Sequence, residues 1–404
     1  MLLLLVLACA GNIAEMYEAE KATALAPPSA PGEAWTPELR LRLSEASLAR
    51  AAEEVVAAGA LSVDKAYGVD NPLGIPLKAR PSAKVTRLDV TVGQDCRGCL
   101  VLDGTLEGKV RWAAGPAKGT VPFTARLSGD MRFSTEAQGD GWRVTGRVVE
   151  LGRVKVQAGK VKAIDLTPIV RGWIDDALDE APPLQLGRLG GEALPLRALR
   201  VREADGALEI QALGDVSGGK PIPAAADALG ADWDLRMHPD TALALMRRTA
   251  FEAGPGEMDV AIDPRALSVS GDTFTLGLRL WRLKGAGWWR DYTVDGTLTA
   301  KNGKLKLRGE EATEGEKSRG AGLADPLALL AEGRILDAVG RGVTQSLPAR
   351  RELAVKGVSL SAVADQARGE DGALLVSGTL DVGKAATDKR TPKKKKKKKK
   401  SEQG

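Results

Sequence analysis

The sequence predicts an α+β protein of two tandem modules, each a long antiparallel β meander with two helices. Three observations lead there. Apolar and polar residues alternate at period two through most of the chain, the mark of strands with one buried face. A few segments switch to helical period and carry capping residues at their ends. Blocks of sequence recur in the same order in the two halves, and such repetition decides architecture before any single element does.

The first residues are apolar. Met1 to Leu7 reads MLLLLVL, followed by Ala8, Cys9 and Ala10. A short apolar run ending at a small residue and then cysteine resembles a bacterial lipoprotein signal, in which the cysteine becomes the first mature residue and carries lipid. On that resemblance Cys9 is the lipid-attachment residue and 1–9 the signal segment. The match departs from the pattern at Leu7 and in lacking a basic segment before the run. An unlipidated signal peptide or a trimmed fragment is the alternative. The run is too short to span a bilayer as a stable helix. Residues 10–36 are rich in Ala, Glu, Pro and Ser, with Pro27, Pro28 and Pro31, and read as a disordered tether.

The first module is expected over 37–216. Leu39, Leu41 and Leu43 alternate with Arg40 and Arg42 as its first strand. Ser44 can cap a helix with the stripe Leu48, Ala52, Val55 and Val56, ending at Gly59. Long strands follow through Leu88, Val90 and Val92, then Leu100 to Val110, Phe123 to Leu127 and Trp142 to Val148, punctuated by glycines and Asp-Gly steps that suit hairpin turns. Cys96 and Cys99 sit in one of these turns. No second CxxC and no nearby histidine completes a metal site, so in an exported chain a small disulfide is preferred to a catalytic dithiol. Thr167 and Pro168 open a second helix with Ile169, Val170, Trp173, Ile174 and Leu178 on one face, stopped by Pro182-Pro183.

Residues 217–230, beginning Ser-Gly-Gly-Lys-Pro-Ile-Pro, read as a linker. The second module, 231–383, repeats the order. Leu235-Arg236-Met237 precedes a helix from Pro239 carrying Leu243, Met246, Ala250 and Phe251 and ending at Gly254. Phe274 to Leu280 alternates. A later helix opens at Asp325-Pro326, carries Leu336, Val339 and Val343, and stops at Pro348. Four blocks match between the halves. Trp142-Arg143-Val144-Thr145-Gly146 pairs with Tyr292-Thr293-Val294-Asp295-Gly296, and Leu194 to Arg197 with Leu353 to Lys356. Glu203 to Leu208 pairs with Gly369 to Leu374, and Asp215-Val216 with Asp381-Val382.

Charge and composition narrow the function. The net charge of +5 is set by 384–404, which carries +9, while the rest holds 47 basic against 51 acidic residues. A body near neutrality argues against a nucleic-acid partner, which would meet positive charge on the folded surface. The lysine run Lys393 to Lys400 reads as a disordered tail drawn to an anionic envelope surface, or as a solvated tail of no specific use. A single histidine, His238, argues against Ser-His, Cys-His and multi-His metal chemistry. No phosphate loop or dinucleotide fingerprint stands between a strand and a helix. The expectation is a non-catalytic protein without cofactor or metal.

This order of elements, given twice, resembles the tubular lipid-binding superfamily, which includes the bactericidal/permeability-increasing and lipid-transfer proteins. The resemblance covers about 35–383 and rests on element order and repetition. It implies that each sheet is strongly curved around its helices, leaving an apolar groove for acyl chains. The groove-lining candidates are then Leu48, Val55, Val56, Ile169, Trp173, Ile174 and Leu178 in the first module. Leu243, Met246, Phe251, Leu336, Val339 and Val343 are their counterparts in the second. Plain core packing is the competing account of the same stripes. Trp288-Trp289-Arg290 could meet a membrane interface or a partner if exposed, or could be buried and edge-packed. The implied function is an envelope lipoprotein, anchored at the outer membrane, that binds a lipid or other hydrophobe. A structural lipoprotein presenting sheet surfaces to a protein partner is the rival.

Overall fold

The computed structural model describes residues 2–59, 61–64, 67–69, 77–93, 98–114, 116–158, 167–180, 183–192, 194–222, 229–256, 259–285, 287–301, 304–318, 350–355 and 358–384. The first half contains α1 (Leu2–Ala24), β1 (Leu39–Ser44), α2 (Glu45–Ala57), β2 (Ser62–Asp64), β3 (Tyr67–Val69), β4 (Leu77–Gly93), β5 (Cys99–Ala114), β6 (Ala117–Gln138), β7 (Gly141–Ala158), α3 (Thr167–Glu180), β8 (Leu184–Gly190), β9 (Leu196–Ala204) and β10 (Ala207–Gly214). The second contains β11 (Trp233–Met237), α4 (Pro239–Ala253), β12 (Val260–Ser270), β13 (Thr273–Arg282), β14 (Trp288–Lys301), β15 (Lys304–Lys317), β16 (Arg350–Val355), β17 (Val358–Glu370) and β18 (Ala373–Lys384). The class is α+β and sheet-rich, with every named strand pair antiparallel.

Local chemistry sets the element ends. The Ser44 hydroxyl accepts a hydrogen bond from Ser47 N at 3.1 Å, satisfying one of the free amides that open α2. At α4, His238 Nδ1 accepts from Asp240 N at 3.0 Å and Pro239 takes the first helical position. Gly254 ends α4 at φ +68°. Asp205-Gly206 and Asp371-Gly372 have positive φ at both residues, as a two-residue hairpin turn of matching twist requires. They close β9–β10 and β17–β18.

Three sheets form. One runs β2-β4-β5-β6-β7-β8, with β3 also on β4, and a second runs β12-β13-β14-β15. Between them lies a seven-stranded sheet in the order β16-β17-β18-β11-β1-β10-β9. Its centre joins the two halves: Leu39 pairs with Met237, Leu41 with Leu235 and Leu43 with Trp233. The halves therefore share a continuous sheet instead of hanging from a linker.

That position changes the fate of Arg42. Alternation along β1 suggests a solvated arginine face, yet Arg42 is buried. It forms a bidentate pair with Asp234 of β11, with Nε to Oδ1 at 2.9 Å and Nη2 to Oδ2. Arg236 and Glu209 are buried on the neighbouring strands. Arg42 stands directly between Glu209 of β10 and Asp234 of β11, and the charges persist there because they are paired.

Residues 10–36 correct the expectation of a disordered tether. Through Ala24 the chain is helical, and Tyr17 is 1% exposed. Ile13, Tyr17, Ala24 and Leu25 join Phe251, Ala261, Trp281, Leu283 and Trp289 in one apolar cluster. The spacing of Ile13, Tyr17 and Ala24 is helical, but the surrounding Ala and Glu residues hide so sparse a stripe. Residues 217–222 correct the linker in the same way. Ile222 is buried and its amide donates to Pro37 O at 3.0 Å, while Lys220 N donates to Thr241 Oγ1 at 3.0 Å. The expected helix bearing Leu336, Val339 and Val343, the lysine tail and Cys96 lie outside the described residues.

Candidate apolar binding site

The second half places an apolar pocket where three elements meet. α4 supplies Ala242, Leu245 and Met246, spaced three and four apart so that they share a face. The shared sheet supplies Met237 from β11 and Leu374 from β18. Leu267, Val269, Phe274, Leu298 and Leu307 close the pocket from β12 to β15. Leu267 and Val269 are two apart, as one face of a strand demands. All ten lining residues are apolar. The free interior is about 30 Å³, room for one water-sized group.

The candidates separate into lining and core. Met246 lines the pocket. Leu243 is half-buried in the main core beside it, not in the pocket wall. Phe251 faces away, tilted against Tyr17 with ring centroids 5.5 Å apart, in the cluster under α1. The helix stripe read from the sequence is thus rotated by about one residue, or 100°. Ala242 and Leu245 were the missed members. Alanine at a buried helix position is easily overlooked, because it reports close approach of a neighbour and not hydrophobic bulk.

In the first half the corresponding stripe is core. Trp173 meets Phe123 edge-on, with centroids 6.4 Å apart and planes at 87°. Val170, Trp173 and Ile174 are buried among Ala79, Ala83, Leu106, Val110, Val121 and Ala125, with Leu178 at the margin. The side chain of Ile169 lies outside the described ones. On α2 the fully buried positions are Ser47, Ala51 and Ala52. Leu48 packs at the edge of a cluster with Val90, Val92, Leu100 and Leu208, and Val55 and Val56 are half-exposed.

The tryptophan triplet is not an exposed patch. Arg290 is buried and pairs with Glu314 at 3.3 Å, correcting its reading as a surface residue. Trp289 carries the Arg279 guanidinium 3.8 Å over its ring, and Arg279 is held by both carboxylate oxygens of Asp291 at 2.6 and 2.7 Å. Trp288 packs against the main core. All three sit on β14, where Trp288, Trp289 and Arg290 pair with Arg282, Trp281 and Leu280 of β13, and Trp289 packs into the cluster under α1.

Charged groups gather beneath α1. Arg247 of α4 bridges Glu20 at 3.0 Å and Asp263 at 2.7 Å, and Arg265 reaches Glu20 at 3.2 Å. Burial raises the Asp263 carboxyl above its usual range, against the opposing pull of Arg247. At Glu20 burial also pushes upward, but the bonds and charges of Arg247 and Arg265 outweigh it and hold the carboxyl low. Glu38, just before β1, is raised by burial although Gly214 N donates to it at 2.9 Å.

No protein-family model matches the chain, and no curated protein matches it. Among the solved structures similar to the chain, all of the following stand at low values. A lipopolysaccharide binding protein is 11% identical with TM-score 0.37, over 87% of this chain and 100% of that one. P47 of Clostridium botulinum E1 is 7% identical with TM-score 0.40, over 86% and 100%. P47 from Clostridium botulinum A2 is 8% identical with TM-score 0.37, over 85% and 97%. At these values the likeness decides neither ligand nor mechanism. Among the described residues no helix is long and apolar enough to cross a membrane. Fold and site together define a sheet-rich α+β protein with an apolar pocket under one helix.

Proposed function

We propose that the chain is a non-catalytic envelope lipoprotein, anchored through Cys9 at the outer membrane, that receives an apolar group in the pocket under α4. The wholly apolar lining carries this reading. Such a wall offers no hydrogen bond, so it favours a hydrocarbon group and excludes a polar one. Each methylene buried there gains about 0.8 kcal/mol. The free interior admits only the end of a chain, so a longer ligand enters by displacing Met246 or Leu245, and methionine adapts readily to such a change. The rival, a scaffold presenting its sheets to a protein partner, is favoured by the filled space under α3, where Trp173 and Phe123 meet.

The test is titration of the detergent-free protein with a fluorescent fatty acid, beside native mass spectrometry for carried lipid. Saturable binding is expected, weakened at least tenfold in Ala242→Phe, which fills the pocket. An empty protein that takes up no probe leaves the scaffold reading standing.

Two structural readings accompany the function. The halves are copies of one duplicated unit. Register supports this: Leu41 pairs with Leu235 across the seam, and outward from it Leu41 pairs with Ile210 and Leu235 with Val376. Ile210 and Val376 each lie two residues past the matching Leu208 and Leu374, in hairpins closed by the matching turns. Cys96 and Cys99 form a disulfide that closes the β4–β5 turn. Its support is that Gly93 pairs with Cys99, which makes the intervening loop short. The lysine tail then adds an electrostatic hold on anionic lipid or envelope polymer, about 1 kcal/mol per lysine near a charged surface.

A further inference from the structure

We propose that α1 is a rigid stalk that stands the body on its bilayer in one orientation, with Lys284 and Gly287, between β13 and β14, facing the lipid. The inference rests on acylation of Cys9 and goes beyond it, because attachment alone sets no orientation. α1 is held at three successive levels. Midway along it Ile13 lies on Gly287, so closely that a Cβ there would come within 3.1 Å of the Ile13 Cβ. One turn on, Tyr17 fills the space between Phe251 and Trp281, with ring centroids at 5.5 and 6.1 Å. Another turn on, Glu20 is clamped by Arg247 and Arg265. A helix fixed at three levels cannot swivel about its attachment.

Its direction identifies the end that meets the lipid. From Glu20 to Ile13 the helix runs toward the β13–β14 turn, and helical structure continues back to Leu2. Cys9 is four residues before Ile13, about 6 Å further along the axis. The backbone of residue 9 is therefore about one helical turn beyond the level of Gly287. A flexible tether over residues 10–36 would instead place the anchor at a mean distance of about 30 Å, in any direction. The turn presents a zwitterionic pair to headgroups: Lys284 is 75% exposed and meets Asp259 at 3.4 Å. The occupant is the phospholipid bilayer that receives the acyl chain.

The test uses the full acylated chain in vesicles of phosphatidylethanolamine and phosphatidylglycerol that contain headgroup spin-labelled lipid. A fluorophore is placed, under non-reducing conditions, at Lys284→Cys or at Lys118→Cys. Lys118 lies seventeen residues along β6 from Thr135, whose hydroxyl touches β9 of the shared sheet. That is about 55 Å of extended strand. The expected result is quenching several-fold stronger at 284 than at 118, and loss of the difference in Tyr17→Ala. Acylated protein with equal quenching at the two positions overturns the stalk and leaves the lipoprotein reading intact. A mass spectrum with no acyl group on Cys9 overturns both.

Discussion

At the scale of single residues, the most consequential pair is Arg42 and Asp234. It ties the first half to the second across the central seam, with both side chains withdrawn from water. A buried pair adds little over an apolar pair of similar volume, but losing one partner strands a charge. Asp234→Ala should therefore cost about 3–5 kcal/mol in urea unfolding, and Arg42→Met with Asp234→Leu should recover most of it. A cost below about 1 kcal/mol for the single change would show that the seam does not depend on this pair. Alternation in β1 revealed which residues share a face with Arg42. It could not reveal that β11 lies beside it, because a strand's neighbours are not written in its own sequence. The tryptophan triplet has the same lesson: adjacency with glycine suggested exposure, and packing of Trp288 and Trp289 into two core clusters removed it.

Among elements, α1 departs furthest from its composition. Its helix-favouring Ala and Glu residues gave no strong stripe, and three contacts supplied by α4, β12 and β13 decide its place. Its docking depends on pH through Glu20. That carboxyl is held below its ordinary range, so its stabilising effect is complete above the unfolded pKa and is lost as pH falls through the lowered folded value. Asp263 behaves oppositely. Its raised pKa marks an ionised form penalised by burial, and acid relieves that penalty. Amide exchange in α1 should accordingly speed up, relative to α2, once pH drops below the usual carboxylate range. Glu20→Gln should remove that speeding in acid and leave α1 less protected at neutral pH. Unchanged protection in the variant would move the anchoring to Tyr17 and Ile13 alone. The helices α2, α3 and α4 were legible for a simpler reason, since Ser44, Thr167-Pro168 and Pro239 act on the backbone beside them.

Over the whole molecule, the shared sheet makes the halves one cooperative unit. β1 and β11 pair with each other and with the closing hairpins of their own halves, so unfolding either half exposes an edge of the other. Calorimetry should show a single main transition for the chain. Two well-separated transitions would mean that the β1–β11 seam contributes little. The pocket belongs to this scale as well. Its walls come from α4, β11, β18 and the four strands β12 to β15, so no local window of sequence contains it. Met246 could be named from its helix face, but Met237, Leu267, Leu298 and Leu374 could not be assigned to one cavity from alternation.

By itself the sequence determined the α+β class, the period-two meanders, the capped starts of three helices, the paired Asp-Gly turns and the recurrence of blocks in order. Each follows from interactions within a few residues: steric limits at glycine, amides satisfied by a capping side chain, and faces that alternate with backbone period. Only the tertiary structure decided that the halves share a sheet, that α1 is docked, and that a pocket lies under α4 while Trp173 meets Phe123 edge-on under α3. Those outcomes depend on contacts between residues tens to hundreds of positions apart. There, side-chain volume and the pairing of buried charge select among arrangements that local pattern leaves equal.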